Sequence, residues 1–332
     1  MSEKKRTTLI TGAAGFIGST YANMVIKRYP DERFVLLDAL TPVSDINNLS
    51  PETRSAEQAT FVKADIRDTK TLKSIFTEHQ ITHVINFAAE THVDVSIVKP
   101  ALFLETNVLG THNLLLCARE HSIERFHQIS TDEVYGSLEK SDGAFTEVSP
   151  THPNNPYSAS KAGADMLVQA YGHTYGLPVV ITRSSNNYGP RQDDSKLIPL
   201  FIKQLVRNEK VPLYGDGSNI RDWLFVEDNA EAIDLVFRKG KSGEIYNIGG
   251  NCEKSNVEIT RTLLTLCDKT EESIEFVSDR PGHDFRYAIN SKKVESLGWK
   301  PTTPLDVGLS ATVAFYKQSS VNRASSYQRV IE

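Results

Sequence analysis

Thr131, Asp132 and Glu133 stand together at the end of the apolar run FHQISTDEVYG, and Tyr157 and Lys161 follow some twenty-five residues later in YSASK. A phenol and an amine four residues apart share one face of a helix, with Cβ atoms about 5–6 Å apart. A free phenol ionises near pH 10; lowering it by about three units, to a useful base, needs roughly 4 kcal/mol of preference for the anion. A nearby ammonium and a second positive charge could supply that in a partly dry site. Such a pair suits the oxidation of any alcohol. The adjacent Asp and Glu narrow the chemistry to elimination of water, which needs one carboxyl to give a proton and another to take one. Either pattern alone is common in ordinary helices and loops. Their combination carries the reading.

The elements that must position these residues alternate. Thr7–Thr11, Phe34–Asp38, Thr60–Lys63, Thr82–Phe87, Phe126–Ser130 and Val179–Arg183 read as strands. Helical spacing covers Gly18–Arg28, Thr69–His79 and Thr106–His121, and a further helix is expected from about Tyr157. This alternation predicts an α/β fold, a doubly wound parallel sheet covered on both faces. Beyond Gly189 the pattern breaks into Pro- and Gly-rich pieces, GPRQDDSKLIPL, VPLYGDG, YNIGGN and DRPGHD, expected to form a smaller mixed α/β lobe over the carboxyl edge of the sheet. The expected division is 1–188, 189–317 and a polar tail at 318–332, with part of the chain crossing back to the first unit. Pro42–Ala59 reads as a solvated loop. Ser137–Pro156, lying between the two halves of the centre, suggests a lid.

Thr7–Thr11 runs into Gly12-Ala-Ala-Gly15-Phe-Ile-Gly18, a GxxGxxG turn opening a helix. Such a turn brings bare backbone and a helix N-terminus to a pyrophosphate. Asp38, twenty residues after Gly18, ends the next strand, where an acid accepts hydrogen bonds from both ribose hydroxyls. A 2'-phosphate would face that carboxylate, so NAD is favoured over NADP. Asp65 and Ile66 are placed to flank an adenine, or Asp65 simply caps a helix.

Net charge is -5 and the pI about 6.0, which excludes a general basic field for nucleic acid or an anionic membrane. Cys117, Cys252 and Cys267 are odd in number and without a CxxC, as expected of reduced thiols in a cytoplasmic protein. No apolar signal core and no run of bilayer length is evident. His92 and Asp94 gather too few ligands for a metal site.

The segments STDEVYG (130–136), NPYSASKAGADML (155–167), TRSSNNYGP (182–190), LYGDGSNIRDWLFVED (213–228), YNIGG (246–250) and DRPGHD (279–284) resemble the extended short-chain dehydrogenase/reductase superfamily, with its Rossmann-type sheet, and within it the nucleotide-sugar 4,6-dehydratases. The likeness runs from about Thr7 to Tyr316. It implies that Tyr157 takes the C4 hydroxyl proton of a hexose while NAD takes the C4 hydride, with Thr131 bonding the same hydroxyl and Lys161 supporting Tyr157. Glu133 removes the C5 hydrogen, Asp132 protonates the departing C6 hydroxyl, and the hydride returns to C6. NAD contacts are implied for Gly12, Gly15, Phe16, Ile17, Gly18, Asp38, Leu40, Thr41, Asp65, Ile66, Ala88, Ala89, Thr106, Tyr157, Lys161 and Asn187. Substrate contacts are implied for Thr91, Thr131, Asn186, Lys196, Leu197, Pro212, Tyr214, Arg221, Asn256, Arg280 and His283. A homodimer is implied through the helices near Thr106–His121 and Tyr157–Tyr171.

The resemblance implies dTDP-glucose as substrate. Several positions around the sugar nucleotide depart from the pattern: Thr41-Pro-Val-Ser44 for TYAG, Val95 and Phe285 for arginines, and Ser195 for a glutamate. UDP-N-acetylglucosamine or UDP-glucose therefore stays open, since thymine and uracil differ by a methyl group, about 0.8 kcal/mol when buried. A 4-epimerase or decarboxylase would share the glycine turn and YxxxK but would not need Asp132 and Glu133. A non-catalytic NAD-binding module would need the glycine turn but none of Tyr157, Lys161, Asp132 and Glu133.

Overall fold

The computed structural model describes residues 6–279 and 283–319. Six short β-branched runs form β1 (Thr7–Thr11), β2 (Arg33–Asp38), β3 (Ala59–Lys63), β4 (His83–Asn86), β5 (Arg125–Thr131) and β6 (Val179–Ser184). Beyond them lie β7 (Asn186–Tyr188), β8 (Val211–Tyr214), β9 (Ile220–Phe225), β10 (Ile245–Ile248), β11 (Glu253–Ser255) and β12 (Ile274–Val277). The large sheet is parallel, in the order β10-β6-β5-β4-β1-β2-β3. β10 thus rejoins it from the carboxyl-terminal half of the chain. β11-β9-β7 and β12-β8 form two smaller sheets.

Strands buried on both faces read as continuous apolar runs, and neighbours along them point oppositely. Leu9, Val35, Leu37 and Val84 enter one core with Leu114, Phe126 and Val168. Ile10, Phe34, Leu36 and Ile85 enter the other with Tyr21, Val25 and Ile233. A third core, around Phe201, Trp223, Leu263 and Leu309, supports the smaller sheets. Among the described residues no helix is long and apolar enough to cross a membrane.

Strand limits fall within a residue or two of the sequence reading. The stretch Thr106–His121 differs. Leu104–Gly110 winds as a π-helix before the α-helix Thr111–Glu120 begins. Tertiary bonds hold this wide turn: Asn107 Oδ1 accepts from the Glu90 amide at 2.8 Å, and its Nδ2 donates to the Glu90 carbonyl at 3.0 Å and Ser160 Oγ at 2.8 Å. The segment 42–59 is no freely solvated loop either. It contains the helix Pro51–Ser55, buries Leu49 completely, and donates from Asn48 Nδ2 to the Ala14 carbonyl at 2.9 Å. Leu49 belongs to the core beside Val25 and Phe34, which is why this segment packs down.

Candidate active site

One cleft of about 300 Å³ lies at the carboxyl ends of the parallel strands. Gly12, Gly15, Phe16, Ile17, Gly18, Asp38, Thr41, Asp65 and Ile66 line it, as do Ala88, Ala89 and Thr106. Gly12 has φ +65°, and a Cβ there would lie 2.7 Å from the Ala88 nitrogen. A Cβ on Gly18 would lie 2.1 Å from the Gly12 carbonyl oxygen. Only bare backbone fits this turn. No side chain caps the helix Phe16–Arg28, so its first amides stay open to an anion. This cradle fits the pyrophosphate of a dinucleotide.

The Asp38 carboxylate is more heavily engaged than the sequence suggests. Oδ2 accepts from the Ala14 amide at 2.9 Å; Oδ1 accepts from the Leu40 amide and from Ser44 Oγ, both at 2.8 Å. Of roughly four acceptor sites on a carboxylate, three are taken. About one acceptor site is left on Asp38 for the ribose hydroxyls expected there. Asp65 does not cap the following helix, because Asp68 does so, its Oδ1 accepting from the Thr71 amide. Instead Asp65 grips Arg67 at 2.7 Å. Burial works upward on the Asp65 carboxyl, but the Arg67 hydrogen bonds and charge hold it below its usual range.

Thr131, Asp132, Glu133, Tyr157 and Lys161 line the same cleft. Tyr157 sits in the first turn of the helix Pro156–Tyr175. Proline at its first position, a reciprocal Asn155–Ser158 cap and left-handed Gly176 at its end define that helix. Lys161 Nζ donates to the Ile129 carbonyl at 2.7 Å. Burial lowers the Lys161 amine to about 8, and the Asp165 charge opposes this. Burial pushes the Tyr157 phenol well above its ordinary value, Glu133 adds to this, and a hydrogen bond with Thr131 works against it. The bond to the Ile129 carbonyl fixes the ammonium in place and leaves it its charge and two further donors.

Burial, then the Glu133 and Asp222 charges, raise the Asp132 carboxyl well above the carboxylate range, while Arg221 pulls it down. Burial thus favours the protonated form of Asp132, and its buried Oδ2 has no hydrogen-bond partner among the described residues. Asn186 Oδ1 and Gln192 Oε1, buried oxygens of cleft-lining side chains, share that condition. Asn187 differs from its neighbour. Its Nδ2 donates to the Ser185 carbonyl at 2.9 Å and its Oδ1 accepts from Asn229 at 2.8 Å.

Thr91 and Lys196 also line the cleft, joined by a 2.9 Å bond from Lys196 Nζ to the Thr91 carbonyl. Leu197, Pro212, Tyr214, Arg221, Asn256 and His283 are not on this lining. Leu197 opens the helix Leu197–Val206, Pro212 and Tyr214 lie on β8, and the Tyr214 and His283 rings meet edge-on at 6.2 Å. Asn256 is buried behind the capping box of Ser255 and Glu258. Arg221 donates to the carbonyls of Ile220, Asp284 and Phe285 and lies 4.4 Å from the centre of the Tyr287 ring. Arg280 lies outside the described residues.

Sequence reasoning missed Gln192 and Tyr287, and marked Ser44 only as a departure from the family pattern. Tyr287 is buried and close enough to Glu133 that the Glu133 charge raises its phenol, second to burial. Its position three residues after Asp284, with which it bonds, was the available signal. The segment 137–156 is no loose lid. Leu138 donates to the Arg286 carbonyl at 3.0 Å, Phe145 and Asn290 bond at 2.8 Å, and Glu147 accepts from the Asn247 amide at 3.0 Å. Among the described residues no cluster of three or more His, Cys, Asp or Glu could hold a metal.

A family model described as GDP-mannose 4,6 dehydratase matches residues 9–312. The low-salt glycan biosynthesis protein Agl12 of Haloferax volcanii is 48% identical over 308 residues, covering 93% of this chain and 97% of that protein. A dTDP-glucose 4,6-dehydratase of Haemophilus influenzae is 46% identical over 330 residues, with coverage of 93% and 97%. The solved structure of a Streptomyces venezuelae dTDP-glucose 4,6-dehydratase with NAD bound superposes with a TM-score of 0.90 at 44% identity, over 94% of this chain and 97% of that one.

Proposed function

We propose, since the chain belongs to the nucleotide-sugar 4,6-dehydratase family, that it is an NAD-dependent hydro-lyase that converts dTDP-glucose to the 4-keto-6-deoxy sugar nucleotide. The observation that carries this is Asp132, pushed toward its protonated form by burial, beside Glu133 in the cleft that also holds Tyr157 and Lys161.

Bound NAD supplies the acceptor for the C4 hydride and the donor that returns it to C6. Tyr157 takes the proton of the C4 hydroxyl, which Thr131 holds by a hydrogen bond. A ketone at C4 acidifies the hydrogen on C5, and Glu133 takes that proton and gives one back to C5 once C6 has been reduced. Asp132 gives its own proton to the C6 hydroxyl, which leaves as water. Two adjacent carboxyls serve opposite roles because Asp132 is buried while Glu133 is partly exposed. Lys161, held by the Ile129 carbonyl, keeps a positive charge in the cleft that also holds Tyr157. Asn186 and Lys196 bind the sugar nucleotide from the cleft wall. Arg221 and Asn256 serve its diphosphate, with His283 nearby, and Leu197, Pro212 and Tyr214 its base.

The division into 1–188 for the cofactor and 189–317 for the substrate is part of this reading, supported by the separate core under the smaller sheets. A homodimer is proposed through the segments Leu104–Gly110 and Pro156–Tyr175, supported by exposed Leu104, Leu109 and Met166 on them. The proposed compartment is the cytoplasm, supported by three free thiols.

The test is incubation with dTDP-glucose and, separately, with UDP-N-acetylglucosamine, followed by mass spectrometry. A product lighter by one water from dTDP-glucose is expected. Dehydration of the UDP sugar alone would overturn the substrate, and dehydration of no sugar nucleotide would overturn the function.

A further inference from the structure

The wall beside Asp38 is built rather than incidental. Leu40 holds φ +54°, a left-handed conformation uncommon for leucine, and from it aims its amide at Asp38 Oδ1. The Ser44 amide closes a turn onto the Thr41 carbonyl at 3.0 Å, and the Asp45 amide ties that turn to the Ala14 carbonyl at 3.2 Å. This brings Ser44 Oγ to 2.8 Å from Asp38 Oδ1, with the Thr41 carbonyl farther away at 3.3 Å. Thr41, Val43 and Ser44 all line the cleft next to Asp38.

A hydroxyl has one proton to donate and two lone pairs to accept with. Since the Ser44 proton is directed at the carboxylate, the hydroxyl offers the cleft only an acceptor. Asp38, with three donors already in place, has about one acceptor site left. A vicinal diol presents two donors and needs two acceptors.

We propose that Ser44 is the second acceptor for the adenosine ribose diol, and that Ser44 and Asp38 together set the preference for NAD over NADP. This rests on the NAD reading above. A 2'-phosphate brings oxygens that accept and a charge that repels the carboxylate, so the pair rejects it on both counts.

The experiment measures binding, not turnover. Protein freed of co-purified cofactor is titrated by calorimetry with NAD, with NADP and with the NAD analogue carrying 2'-deoxyadenosine. Ser44→Ala, Ser44→Gly and Ser44→Thr are compared with the parent chain. In Ser44→Ala and Ser44→Gly, NAD affinity is expected to fall about five- to tenfold, as for loss of one neutral hydrogen bond. The NAD-to-NADP affinity ratio should narrow. The 2'-deoxy analogue should lose less affinity than NAD does, and Ser44→Thr should restore the parent values. Unchanged NAD affinity in Ser44→Ala would overturn the inference. Equal losses for NAD and the analogue would also overturn it, by reducing Ser44 to a support for the loop. If the parent chain bound no NAD, the cofactor reading itself would fail and take this inference with it.

Discussion

Arg183 Nε donates to Asp165 Oδ2 at 2.9 Å, with both side chains almost wholly withdrawn from solvent. The pair joins the helix that carries Tyr157 to β6. Ser130 Oγ, paired across the sheet with Arg183, donates to the same carboxylate oxygen at 3.0 Å. Arg183 also lies 4.7 Å from the centre of the Tyr135 ring, and Tyr135 in turn donates to Asn247. Asp165 thus ties together the strand end and the helix that make the two halves of the reaction centre.

Removing one member of this pair leaves an uncompensated buried charge. Arg183→Met is expected to cost about 3–5 kcal/mol, while Arg183→Met combined with Asp165→Asn should recover most of the loss. Urea denaturation of the single and double variants checks this. A double variant no more stable than Arg183→Met would refute the account.

Glu133→Gln keeps shape and hydrogen bonding but cannot take a proton. Loss of water should fall by a factor of about 100 or more, in line with removal of a general base. Oxidation at C4 should persist, visible as absorbance of reduced nicotinamide. Unchanged dehydration would remove Glu133 from the mechanism.

His127 is fully buried, stacked against Phe237 at 6.2 Å, within 3.1 Å of Thr182 Oγ1, and near the charge of Arg125. Burial, then Arg125, lowers its imidazole from 6.5 to about 3. The unfolded chain binds a proton below pH 6.5 that the folded chain refuses. His127 therefore costs nothing above pH 6.5, and its cost grows by about 1.4 kcal/mol for each pH unit between 6.5 and 3. His83 shifts in the same direction, mainly through burial. Denaturation midpoints from pH 7 to 4 should fall less steeply for His127→Phe than for the parent. Parallel curves would contradict the buried neutral imidazole.

Gly18→Ala places a methyl 2.1 Å from a backbone oxygen that has no way to yield alone. The glycine turn must shift, and calorimetry should show NAD affinity falling at least tenfold. Retained affinity would mean that the turn is not the pyrophosphate seat.

The parallel strands were legible because residues buried on both faces leave unbroken apolar runs, as in Phe34–Asp38. Asp132, Glu133, Tyr157 and Lys161 were legible through type and spacing, and the cleft gathers all four. The π-turn at Leu104–Gly110 was hidden, since Asn107 bonds residues far away in the chain. Ser44 was noticed as a departure, yet its bond to Asp38 depends on a left-handed Leu40 that no local propensity announces. Lys161's commitment to Ile129 was equally invisible, because a backbone carbonyl has no signature in a side-chain pattern.

β5 performs three tasks in consecutive residues: Ile129 holds the amine through its carbonyl, Ser130 holds Asp165, and Thr131 leads into the acidic pair. Its pairing with β6 is continuous from Phe126 to Thr131, so nothing there absorbs a shift in phase. A one-residue insertion would invert every facing beyond it and exchange the grip on the helix for its opposite side. Length changes are consequently forbidden to this strand, however freely its surface letters are rewritten.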